Sequence, residues 1–162
     1  MQSQIDRNEG YVDLEGGENT ARLAAHQAYL RTIGLPEDVT RAIDHIGINA
    51  ATTDAFDRLV TRYTVAGQKV GMYHRGDRRI AMIWRGPGQY RVELFEPRTD
   101  TTPTPGFVHY AFIWPGWKAQ EAALREKATV QRVGELNGNA LIFVTTPDSH
   151  EAEIVTAPIS FE

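Results

Sequence analysis

The feature that most restricts this fold is an order of elements that the chain runs through twice. The run "AIDHIGINA" is strand-like and is followed by "TTDAFDRLVTRYTVAG", whose Phe56, Leu59, Val60 and Tyr63 fall on one helical face. Thr53 or Asp54 can cap that helix and Gly67 can end it. Three more strand-like runs follow, "QKVGMYHR", "RRIAMIW" and "YRVELFEP", joined by turns at "GD" and "RGPGQ". After "RTDTTPTPG", a Thr/Pro-rich linker, the order begins again. "FVHYAFIW" reads as a strand, "GWKAQEAALREKA" as a helix, and "TVQRVGEL", "NALIFVTT" and "EAEIVTA" as three strands. The spacing therefore predicts two βαβββ modules, 43–97 and 106–158, in the α+β class. A single module would leave an apolar sheet face uncovered, so the two are expected to pack as one domain, 43–158.

Ahead of the repeat, residues 1–18 are polar and without period, which predicts a flexible arm. Residues 19–42 predict a helical extension. "NTARLAAHQAYLRTIG" spaces Leu23, Ala24, Gln27, Leu30 and Ile33 for a helix that Gly34 stops, and "LPEDVTRA" restarts a short one at Pro36.

Superimposing the modules places His45 of "IDHIGIN" opposite His109 of "FVHYAFI", and Glu93 of "RVELFEP" opposite Glu153 of "EAEIVTA". Each module thus carries a histidine on its first strand and a glutamate on its fourth. Strand residues two apart share a face, so His45 lies with Gly47 and Asn49, and His109 with Ala111 and Ile113. Glu93 lies with Arg91 and Phe95, and Glu153 with Glu151 and Val155. Small residues beside each histidine leave room for a ligand, while the bulky residues behind can pack on the module's helix. Alone, each of the four reads as structural or solvent-facing; their recurrence in matching elements favours a metal site. Two imidazoles and two carboxylates suit Zn, Ni, Co, Mn or Fe, and a divalent metal ion offsets the cost of burying two like charges.

The remaining composition narrows the function classes. With 17 basic and 21 acidic residues the net charge is −4, and no basic patch suggests nucleic acid. No apolar run is long enough to cross a membrane, and no signal peptide is visible, so a cytoplasmic location is the expectation. There is no cysteine, which excludes disulfides and thiolate chemistry. "GPGQY" leads into a strand rather than a helix and fails as a phosphate loop.

The repeat, with "DHIGI", "VELFEP", "VHYAF" and "AEIVTAP", resembles the vicinal oxygen chelate superfamily, which includes glyoxalase I, bleomycin-resistance proteins, methylmalonyl-CoA epimerase and extradiol dioxygenases. The resemblance covers residues 43–158. It implies a cupped, incompletely closed eight-stranded sheet with a metal held by His45, Glu93, His109 and Glu153. It further implies a lyase or isomerase that binds a small-molecule substrate through adjacent oxygens and stabilises an enediolate-like intermediate. Glu153, or else Glu93, would act as general base. The last turn, "PDSHEAE", lacks the family's glycine, and the "FY…LG" pattern of the first helix is faint.

Around these four, Arg91, His74 and Trp84 are candidate substrate-binding residues, Arg91 through a carboxylate. Trp114 and Trp117 read as packing, and His26 and His150 as surface residues. Glu96 and Glu151 become ligands only if the register slips. Two other readings share the fold: a non-catalytic, bleomycin-resistance-like binding protein, and an iron-dependent dioxygenase needing one ligand fewer. The extension can cover a sheet edge or mediate a homodimer.

Overall fold

The computed structural model describes residues 2–160; Met1, the first residue of the expected arm, lies outside them. The architecture is α+β with eight strands, and the chain divides into two compact units. One is built on residues 45–108 together with the chain up to Asn19, the other on Thr20–Asp44 with the chain from His109 onward.

In the first unit, β1 (Ile43–Asn49) pairs in parallel with β4 (Arg91–Phe95), and α4 (Thr53–Tyr63) supplies the crossover. From β4 the sheet continues antiparallel to β3 (Arg78–Ile83) and then β2 (Val70–Arg75). A parallel pair needs a crossover of this length, and the amphipathic α4 meets the need while covering the sheet. Its Ala55, Phe56, Leu59 and Tyr63 are buried, as are Ile46, Ile48, Ala81, Ile83, Val92 and Leu94, the alternate strand residues behind the histidine face. Thr52, one residue earlier than expected, caps the helix by accepting from the Ala55 amide at 3.0 Å.

Residues 4–9, expected within a flexible arm, form α1 (Gln4–Glu9), capped by a reciprocal Ser3–Asp6 box. A helix this short does not persist alone. Its order comes from α4, where Arg62 pairs with Asp6 and Arg58 Nε meets Glu9 Oε1 at 2.6 Å. Downstream, the Tyr63 hydroxyl accepts from the Val12 amide at 2.7 Å and donates to the Val12 carbonyl at 3.0 Å. Burial pushes that phenol's pKa well above its ordinary value. Gly10 has φ +101°, and a Cβ there would lie 2.2 Å from the Asn49 carbonyl oxygen, so the position requires glycine.

The second unit repeats the plan. β5 (Gly106–Ile113) pairs in parallel with β8 (Glu151–Val155), then β8 antiparallel with β7 (Asn139–Thr145) and β7 with β6 (Val130–Leu136). The expected helix is here a four-residue 3₁₀ turn, Trp117–Gln120, leading into α5 (Glu121–Lys127). Trp117 is fully buried and donates through Nε1 to the Ala140 carbonyl, so its indole packs, as expected, rather than lining an open site. The helical extension is α2 (Gly17–Thr32) and α3 (Glu37–Arg41), with Leu30, Ile33, Leu35 and Val39 buried.

His26 corrects an expectation. It is 1% exposed on α2, not a surface residue, because it continues the buried stripe of Leu30 and Ile33 at helical spacing. Burial pushes its imidazole below the ordinary value, against the opposing effect of Asp148. Among the described residues, no helix is long and apolar enough to cross a membrane.

Candidate metal centre

Strand register decides what faces what. In the first unit Gly47 stands opposite Glu93, and His45 opposite Arg91, across the parallel β1–β4 pair. In the second, Ala111 stands opposite Glu153, and His109 opposite Glu151. The glutamate therefore lies in both modules across from the small residue two positions beyond the histidine. That offset, with a small residue filling it, lets the two side chains meet above the sheet.

They do meet within each unit. His45 Nε2 lies 3.2 Å from Glu93 Oε1, with the two side chains 0% and 9% exposed. His109 Nε2 lies 3.7 Å from Glu153 Oε1, both again buried. A buried carboxylate beside an imidazole is held by a shared proton or by a cation. At 3.2 Å a hydrogen bond suffices; 3.7 Å is beyond its reach. Two donors each about 2.0–2.2 Å from one tetrahedral ion stand about 3.3–3.6 Å apart, and the two spacings, 3.2 and 3.7 Å, bracket that range within about 0.1 Å on either side. The His109 ring is packed edge-on against Phe143, centroids 5.8 Å apart, and Phe143 in turn carries the Arg132 guanidinium at 3.8 Å.

The face carrying His45 and Glu93 also holds two arginines. Arg91 is 9% exposed, with its guanidinium carbon 5.2 Å from the Trp84 ring centroid. Arg78, two residues before Ile80 on the same side of β3, sits half-buried with its guanidinium 4.9 Å from the Phe95 ring. Burial lowers the Arg78 pKa, Arg98 and Arg75 add to the effect, and Glu93 opposes it. Arg78 opens the strand-like run "RRIAMIW", and the alternation Arg78, Ile80, Met82 is the sequence signal that places it on this face.

His74 is not brought to this face. It is exposed and stands across from Arg79, whose side chain runs to Asp57 of α4 at 3.0 Å and to Glu96 at 2.6 Å. Glu96 is thereby engaged on the helix side of the sheet, and Glu151 pairs with Arg132 at 3.5 Å.

No protein-family model and no curated protein sequence matches the chain. Solved structures do. A variant methylmalonyl-CoA epimerase from Streptomyces coelicolor, in complex with 2-nitronate-propionyl-CoA, is 26% identical over 73% of this chain and 98% of its own, with a TM-score of 0.53. A methylmalonyl-CoA epimerase in complex with methylmalonyl-CoA and NH4+ is also 26% identical, over 74% and 98%, at 0.52. A 4-hydroxymandelate synthase mutant from Streptomyces coelicolor is 15% identical, covers 74% of this chain and 49% of its own, and matches at 0.53, a likeness of fold alone.

Proposed function

We propose, from the premise that this chain belongs to the vicinal oxygen chelate superfamily, that it is a metal-dependent isomerase that moves a proton beside a carbonyl group. The observation that carries this reading is the register-matched, buried histidine–glutamate pair in each module. By the superfamily resemblance, His45, Glu93, His109 and Glu153 are the residues that would serve as ligands of a divalent ion. When bound, such an ion supplies Lewis-acid polarisation of the substrate carbonyl, making the neighbouring C–H more acidic.

The chain's own groups do the rest. A glutamate that is 8% exposed is shielded from water, which favours its acting as a base on carbon. We take Glu153 as the base that removes the proton, with Glu93 as the alternative. Returning the proton to the opposite face of the same carbon would invert it, and Glu93 is the group we propose for that step. Arg78 and Arg91 would bind an anionic group, and Trp84 would flank it. A carboxylate-bearing acyl thioester, of the kind the epimerase structures hold, supplies both the acidic C–H and the anion.

The test is proton exchange in D2O. Methylmalonyl-CoA is incubated with the chain loaded in turn with Co2+, Mn2+, Ni2+ or Zn2+, and deuterium at C2 is followed by mass spectrometry. Enzyme-dependent exchange is expected, slowed at least about a hundredfold by Glu153→Gln. No exchange above the protein-free rate with any of the four metals would refute the reading.

A further inference from the structure

The second unit contains another convergence of ligand-type side chains, remote in the sequence from the strand histidines. His26 Nε2, from the buried face of α2, lies 2.9 Å from Asp148 Oδ2. His150 Nδ1 lies 3.2 Å from the same oxygen. One donor atom from each of the three falls within 4.8 Å of the other two. We infer that His26, Asp148 and His150 form a second divalent-metal site, of the Zn2+ class, that clips α2 to the turn between β7 and β8.

Five observations support a built site over a chance ion pair. The turn has a defined shape: Thr146 N donates to the His150 carbonyl at 2.9 Å and Ser149 N to the Thr146 carbonyl at 3.0 Å, with Ser149 at φ +65°. That left-handed residue turns Asp148 and His150, two positions apart, toward the same side. The Thr146 hydroxyl donates to Asp148 Oδ1, which orients the carboxylate and leaves Oδ2 facing the imidazoles, as outer partners of metal ligands commonly do. The His26 ring is fixed edge-on to the buried Tyr110, centroids 5.3 Å apart. The donor set, two imidazoles and one carboxylate, is one that zinc accepts with a further position left for water. The partial exposure of Asp148 (41%) and His150 (38%) provides that opening and a path for the ion.

An ion pair needs only one of the two imidazoles on the carboxylate; a metal site needs all three side chains. The experiment separates these by metal count. The full chain, stripped of metal, is titrated with Zn2+ against a chromophoric chelator, alongside Asp148→Asn, His150→Ala and His109→Ala, each checked for folding by circular dichroism. Asp148→Asn and His150→Ala are expected to lose one tight Zn2+ equivalent, at least about tenfold weakened, that His109→Ala retains. Both substitutions fall on partly exposed positions of a turn, so His26 and its buried packing stay intact. Co2+ in place of Zn2+ should give a visible absorption band that disappears in the same two variants. Unchanged Zn2+ stoichiometry in both, or an equivalent in the wild type weaker than about 10 µM, would overturn the proposal and leave an ion-pair cluster. Loss of an equivalent only in His109→Ala would also overturn it, while supporting the strand site. The count at this cluster is independent of what His45 and Glu93 bind, so failure of one reading does not decide the other.

Discussion

Replacing Glu93 by glutamine should separate its role toward His45 from its role toward a metal, because one acts on the stability of the metal-free protein and the other on the gain from added metal. The substitution keeps size and an oxygen acceptor, so the contact with His45 at 3.2 Å survives as a neutral hydrogen bond. A hydrogen bond to a charged group contributes about 1.5–3 kcal/mol and a neutral one about 1 kcal/mol, so up to about 2 kcal/mol is lost there. Against this stands the cost of keeping an ionised carboxylate 9% exposed, which glutamine removes and which is of similar or larger size. The metal-free Glu93→Gln protein is therefore expected within about 1 kcal/mol of the wild type, a melting shift of about 2–4 °C at most. With metal at a hundred times its dissociation constant, the wild type gains about 2.7 kcal/mol. That corresponds to a rise of about 5–11 °C. A tenfold loss of affinity removes about 1.4 kcal/mol of the gain, roughly half. Thermal unfolding with and without Co2+ or Mn2+ measures both quantities on one sample. Glu153→Gln should likewise lose about half of the metal-induced rise. A metal-free Glu93→Gln protein destabilised by more than about 3 kcal/mol, with the metal-induced rise intact, would refute the ligand assignment and make Glu93 a structural partner of His45.

Two further outcomes test the surrounding fold. Tyr63→Phe strands both the Val12 amide and its carbonyl in a buried place, and should cost about 2–4 kcal/mol in urea unfolding while speeding proteolysis within the first dozen residues. Glu96→Gln tests a charge. Burial raises the Glu96 pKa, but hydrogen bonds from the Arg79 side chain and backbone outweigh it and hold the carboxyl below its ordinary 4.5. A depressed carboxylate contributes stability that is present above its unfolded pKa and lost as pH falls through the folded one. The gap between wild type and Glu96→Gln should therefore be widest near pH 7 and close below pH 4.5 in acid-titrated unfolding.

What could be read from the chain alone followed the reach of each interaction. Period-two alternation is local, so β1, β4, β5 and β8 and the faces of their histidines and glutamates were legible from "IDHIGIN", "RVELF", "FVHYAFI" and "EAEIV". The repeat made the pairing legible too, because matched modules place matched residues at matched register. The helix α1 was not legible: its partners, Arg58 and Arg62, lie on the outer face of α4 and become neighbours only in the folded unit. His26 was partly legible, since it stands four and seven residues before Leu30 and Ile33 on one helical face, but a polar side chain in that stripe was read as exposed. Asp148 and His150 gave no local signal, because only the turn at Ser149 aims them at α2.

The parallel pairing of β1 with β4, and of β5 with β8, has a kinetic consequence. In each module the first and last strands are neighbours, so the histidine and its glutamate are separated by the entire intervening helix and hairpin. Such contacts form only after the long loop between them closes, late on the folding path. Interactions absent from the folding transition state act on the unfolding rate. An ion held across these strands would therefore leave the speed of folding nearly unchanged and slow the loss of the native state, acting as a kinetic lock on modules already assembled.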